Sequence, residues 1–192
     1  MRVKFENCVS GMRSERKCTY KICNLPQSSV NQCLPPQSMT SFECEAFPAP
    51  GSPFHLALPV HSIDIARQFY GEVLGCKEGR RSDNKWQDYS LYGHQIVCHY
   101  VGETYRCQDY YNPVDGDEVP VPHFGIVLQH EEFIALADKI RKAGIKFIIE
   151  PHLRFQGMPG EQWTMFFKDP SGNNLEFKVM SNPSNLFAKY NV

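Results

Sequence analysis

No apolar run in this sequence approaches the roughly 20 residues that a membrane-spanning helix needs, which excludes an integral helical membrane protein. Neither sign of charge is in excess. The 20 Lys and Arg face 21 Asp and Glu, so the basic footprint of a nucleic-acid binder is missing. No Cys-x-x-Cys pair occurs among the 8 cysteines, which leaves a cysteine zinc site weakly supported. Residues 1–30 hold no continuous apolar stretch of the kind that opens a secretory signal, so the thiols are expected to be reduced and intracellular.

What remains is a chain of 192 residues, 42% hydrophobic, long enough to bury the core of one domain and carry a tail. Residues 1–50 differ from the rest. They hold Arg2, Lys4, Arg13, Arg16, Lys17 and Lys21, with only Glu6 and Glu15 as acids among the first forty. No helical or strand period persists there. The segment reads either as a transit peptide for a plastid or mitochondrion or as a disordered tail; in the second case a cytoplasmic location is expected. Pro48, Pro50 and Gly51 mark the junction.

Residues 51–181 are expected to form the folded domain, and 182–192 a C-terminal tail. Phe54–Val60 reads as a strand. Ser62 then caps a helix in which Ile65, Ala66, Phe69, Tyr70, Val73 and Leu74 recur at helical spacing, and Gly75 ends it. Cys76–Arg81, Trp86–Tyr92 and His94–Val101 are strand candidates. The order then repeats. His123–Leu128 is a strand, Phe133 to Ala143 a helix stopped by Gly144, and Lys146–Glu150, Trp163–Phe167 and Asn174–Met180 are strands. The fold class is therefore α+β, built from paired β-α-β-β-β modules. Glu103 to Pro122 is left as a long irregular connection, and Arg154 to Glu161 as a short lid.

Strand parity selects the candidate chemistry, because successive side chains point to opposite faces. His55, Ala57 and Pro59 share the less bulky face of the first strand. His123, Gly125 and Val127 share that of the fifth, and Asn174, Glu176 and Lys178 that of the last. If the mixed sheet curls into a cup, His55, His123 and Glu176 point into it. Two imidazoles and one carboxylate hold a divalent metal and leave positions open. The plainer alternative is two hydrogen-bonded strand histidines and a solvated glutamate.

Three stretches carry a family likeness: Phe54-His-Leu-Ala-Leu-Pro-Val, Ala66-Arg-Gln-Phe-Tyr-Gly-Glu-Val-Leu-Gly and Asp169-Pro-Ser-Gly-Asn-Asn-Leu-Glu-Phe. Residues 53–180 resemble the vicinal oxygen chelate superfamily of glyoxalases, bleomycin-resistance proteins and extradiol dioxygenases. Asn112-Pro-Val-Asp-Gly, Val121-Pro-His-Phe-Gly and Ile149-Glu-Pro-His-Leu-Arg-Phe resemble its single-domain branch of predicted extradiol dioxygenases. The resemblance implies that His55, His123 and Glu176 are metal ligands and that the mixed sheet curls around the metal. It also implies a homodimer; in some relatives one metal site takes ligands from both chains. The substrate implied is a small molecule with vicinal oxygens, with neither nucleic acid nor membrane as partner.

The reaction expected first is extradiol cleavage of a catechol-like substrate with Fe(II); Zn, Ni, Co or Mn are the alternative metals. His99 is the candidate catalytic base, with His152 the weaker one. A glyoxalase I-like isomerase is the alternative. It would need a Glu or Gln on the fourth strand, where the repeat places Val97, Cys98 or His99 opposite Glu176. A third reading is a metal-dependent transferase or lyase, with Arg154 and Lys178 holding an anionic group. A ligand-binding module without turnover is the fourth.

Overall fold

Ser62 starts the first helix as its spacing implies: its side chain accepts a hydrogen bond from the Ile65 backbone N–H. The structure, a computed structural model, describes residues 52–190. The expected tail or transit peptide over residues 1–50 lies outside the described residues.

The first module runs β1 (His55–Val60), α1 (Ile63–Ala66, continued with wider turns over Arg67–Val73), β2 (Lys77–Ser82), β3 (Trp86–Leu91) and β4 (His94–Tyr100). The wider turns show in the Leu74 N–H reaching back five residues to the Phe69 carbonyl. Gly75 then adopts φ +77°, a left-handed conformation that suits glycine at a helix end. The second module runs β7 (His123–Val127), α2 (His130–Lys142), β8 (Phe147–Arg154), β9 (Gln162–Lys168) and β10 (Asn174–Met180).

Each module forms a four-stranded mixed sheet, in the order β1-β4-β3-β2 and β7-β10-β9-β8. The first strand of each module pairs in parallel with its last, and the other pairs are antiparallel. The apolar faces of both sheets and of both helices line a single core. Leu58, Val60, Ile96 and Cys98 come from one sheet, and Leu175, Phe177, Met165 and Phe167 from the other, with Phe69 and Phe133 from the helices. The opposite faces, which carry the candidate ligands, turn away from that core.

The signature stretches hold the two modules together. Tyr70 of the first module is fully buried and donates from its hydroxyl to Asp169 Oδ2 at 2.9 Å. Asp169 also accepts from the backbone N–H groups of Ser171 and Asn173 and from the Asn173 side chain. Asn173 in turn donates to the Pro59 carbonyl. These motif residues brace a turn against the neighbouring module.

The stretch from Glu103 to Pro122 is not simply irregular. Strands β5 (Tyr110–Val114) and β6 (Asp117–Val121) form a hairpin around an Asp115-Gly116 turn, both residues at positive φ. Val119 of the hairpin packs on Ile149 and Phe166, on the face of the second sheet that carries Glu176. Arg154 and His152, both on β8, reach Asp117 at 3.2 and 3.1 Å. The C-terminal segment also docks: the Tyr190 hydroxyl occupies the space above Gly160 that any side chain would fill.

Candidate metal centre

His123 and Glu176 come together. β7 and β10 pair so that His123 stands opposite Asn174, two residues before Glu176. The two side chains lie on one face, with His123 Nε2 3.3 Å from Glu176 Oε2. Gly125, directly opposite Glu176, permits this spacing: a Cβ there would lie 1.5 Å from the Glu176 carbonyl oxygen.

The surroundings hold both groups in place. Thr164 on β9 donates from its hydroxyl to Glu176 Oε1 at 2.8 Å. Lys178 Nζ is 3.5 Å from Oε2. Burial pushes the Glu176 carboxyl up, but His123, Lys178 and Thr164 outweigh it and hold the group below its ordinary range. The hydrogen bond to Glu176 raises the His123 ring above its ordinary value, against its partial burial. His123 Nδ1 is 2.7 Å from the Pro120 carbonyl at the base of the hairpin. A carbonyl only accepts, so Nδ1 carries a proton; in the neutral ring Nε2 then keeps its lone pair, and it donates to Glu176 only in the imidazolium form that the carboxylate favours.

His55 is elsewhere. It lies exposed on β1, with Nδ1 2.8 Å from Gln95 Oε1 on β4. Among the described residues, no three His, Cys, Asp or Glu side chains gather as a metal cluster. The three expected ligands thus form a pair and a separate single residue within one chain.

The β1–β4 register also resolves where the fourth position falls. His55 stands opposite Gln95, as His123 stands opposite Asn174, so Val97 is the repeat equivalent of Glu176. Val97 is apolar and cannot ligate. Cys98 lies on the buried opposite face, its thiol raised by burial. His99 is exposed and shares the face of Gln95 and Val97. It sits four residues beyond Gln95, about 13 Å along the strand. Within one chain it does not stand beside His55. His152 is committed to Asp117 and the Glu150 carbonyl, and the buried Arg154 to the hairpin. Neither is presented beside Glu176, whereas Lys178 is.

His123 also borders an apolar cavity of about 310 Å³ where the edges of β1 and β7 approach, walled by Leu56, Leu58, Pro59, Tyr105, Pro122 and Phe124. Sequence reasoning missed Thr164, Gln95 and the Pro120 carbonyl. Their roles depend on register and on the hairpin, neither of which parity alone supplies.

The family model described as "Glyoxalase/Bleomycin resistance protein/Dioxygenase superfamily" matches residues 52–177. The chain belongs to this superfamily. A solved glyoxalase/bleomycin resistance protein/dioxygenase from Alicyclobacillus acidocaldarius is 32% identical, with a TM-score of 0.62; the match covers 73% of this chain and all of that one. The fold is shared more distantly with a lactoylglutathione lyase from Agrobacterium tumefaciens, at 18% identity and TM-score 0.50, over 73% of this chain and 98% of that one. It is also shared with a genomically encoded fosfomycin resistance protein from Listeria monocytogenes, at 16% identity and TM-score 0.53, over 71% and 98%. No curated protein matches the chain. In this superfamily member, the shared fold accounts for the paired modules, and the donor set suits a divalent metal. Nitrogen and carboxylate donors meet at His123 and Glu176, and both are held from behind, as ligands to a metal are.

Proposed function

We propose that this protein is a metal-dependent small-molecule enzyme that works as a homodimer. His55 of one protomer and the His123–Glu176 pair of the other would together hold one divalent metal. The observation that carries this reading is the division itself. Two ligands are assembled on one sheet, while the third is held on another through its Nδ1, which leaves its Nε2 to face outward. Exposed Phe54, Val121 and Val127 flank these residues and offer apolar surface for a second copy to cover.

A bound metal would supply charge stabilisation for two neighbouring substrate oxygens. The chain's own residues do the rest. Thr164 and the Pro120 carbonyl fix the ligands, and Lys178 adds positive charge at the carboxylate. Val119 of the hairpin packs on Phe166, the β9 residue paired with Glu176.

Within this reading we favour extradiol-type cleavage of a catechol-like substrate, with Fe(II) as the metal and Zn, Ni, Co or Mn as alternatives. Val97 in the fourth position removes the additional carboxylate that an isomerase of the glyoxalase I kind would use. His99, two residues beyond Val97 on the same face of β4, is the proposed base for a substrate that extends along that strand; His99→Gln should lower turnover and leave metal content unchanged. Residues 1–50 enter the proposal as an organelle-targeting segment, and a diffuse cytosolic signal from a reporter fused to them would reject that role.

The test is metal analysis of protein purified anaerobically without a His-tag, followed by oxygen uptake with a catechol panel. Near-stoichiometric iron and oxygen uptake support the proposal. Turnover of the methylglyoxal–glutathione hemithioacetal instead would replace it with the isomerase. A protein that takes up no metal on reloading would be a binding module.

A further inference from the structure

The first sheet carries a chain of polar side chains that ends on His55. Asp88 is buried on β3, on the face shared with Gln95. Its Oδ2 accepts from Gln95 Nε2 at 2.9 Å and from Arg80 Nε at 3.2 Å. Gln95 Oε1 then lies 2.8 Å from His55 Nδ1.

The direction of this chain follows from donor chemistry. A carboxylate only accepts, so the amide nitrogen of Gln95 must face Asp88. That leaves the amide oxygen facing His55, where it also only accepts. His55 Nδ1 must therefore carry the proton, and Nε2 keeps its lone pair. Arg80 Nε donates to the same Asp88 oxygen, so the carboxylate is held from a second side. The second module reaches the same state differently, through the Pro120 carbonyl behind His123.

We infer that Gln95, gripped by Asp88, is a positioning residue that fixes His55 as its Nδ1–H tautomer with Nε2 presented as a donor, before any metal arrives. This deepens the metal reading above and rests on it for its purpose, but the tautomer is a property of the metal-free chain. Groups that orient a histidine ligand in this way are commonly worth 10–100-fold in metal affinity.

The experiment uses the full chain, metal-free and 15N-labelled, near about pH 8.5, where an ordinary imidazole is neutral. Long-range 1H–15N spectra read the ring tautomers of wild type, Gln95→Leu and Asp88→Asn. Zn titrations follow on each protein. His55 should be the Nδ1–H tautomer in wild type and should lose that preference in Gln95→Leu. It should weaken in Asp88→Asn, where the Gln95 amide is freed to turn over. His123 serves as the internal control and should not change. Zn affinity should fall by about 10–100-fold in Gln95→Leu. An Nε2–H tautomer at His55 in wild type, or an unchanged tautomer in Gln95→Leu, would overturn the inference. A wild-type protein with the expected tautomer that binds neither Zn nor Fe(II) would uphold the orienting role and overturn the metal reading instead.

Discussion

His123 Nε2 and Glu176 Oε2 lie 3.3 Å apart, and each group is anchored from a different element: His123 by the Pro120 carbonyl and Glu176 by the Thr164 hydroxyl. If this pair binds metal, His123→Ala or Glu176→Ala should abolish tight metal binding while leaving the fold largely intact. Thr164→Val should keep some binding and weaken it by about 10–100-fold. Metal content and titration calorimetry read both effects. Unchanged metal content in His123→Ala or Glu176→Ala would contradict the ligand assignment.

Gly125 leaves no room for a side chain against the Glu176 backbone. Gly125→Ala must push β7 away from β10. The expected cost is at least about 1–3 kcal/mol of stability, together with weaker metal binding because Glu176 moves. Denaturant melts of metal-free protein measure the first effect, and titration of the folded fraction measures the second. A variant of unchanged stability would show that the strands slide apart freely at this point.

Tyr70 and Asp169 are both buried and bonded to each other across the two modules. Tyr70→Phe removes one donor from the carboxylate and should cost about 1–3 kcal/mol. Activity per folded molecule should be unaffected, because neither residue approaches His123 or Glu176. A loss of turnover without a loss of stability would point to a role beyond bracing.

Burial raises several acids of the core. It pushes the Cys76 thiol from 9.0 up to about 11, against the pull of Lys139. It raises Cys98 further still, and raises Tyr70 well above 10.0. A folded-state value above the unfolded one means that the unfolded chain releases its proton first. The associated stability is therefore fully present below about pH 9 and is lost as pH climbs towards the folded values. The melting temperature should fall steeply from about pH 9 to pH 11, with a shallower slope in Cys98→Ala. Equal slopes would mean that these groups are not buried in solution.

Much of the fold was legible because it rests on local rules. The alternation in β1, β7 and β10 separated apolar from polar faces correctly, and Ser62, Gly75 and Gly144 marked the helix ends. The hairpin was hidden because Pro113 and Pro120 interrupt a strand-like pattern; the Asp115-Gly116 pair was the available signal. β8 runs past Pro151 to Arg154, further than its composition implies, because irregular register with β9 absorbs the proline. At the site, parity says which residues share a face but not where two such faces point once they share one core. That is why His55 reads as a neighbour of His123 and Glu176 in the sequence and is separate from them in the chain. Gln95 and Thr164 emerge only with the β1–β4 and β9–β10 registers in hand.

The most direct test of a metal centre shared between two chains is a mixing experiment. His55→Ala and Glu176→Ala proteins, each unable to bind metal tightly alone, are unfolded together in equal amounts, refolded and assayed for metal content. In a shared centre, each mixed dimer has one site with both ligands missing and one site intact. Random pairing should then restore about a quarter of the wild-type metal. Recovery at that level, absent from either variant refolded alone, is the expected result. No recovery in a mixture that demonstrably forms mixed dimers would contradict a shared centre.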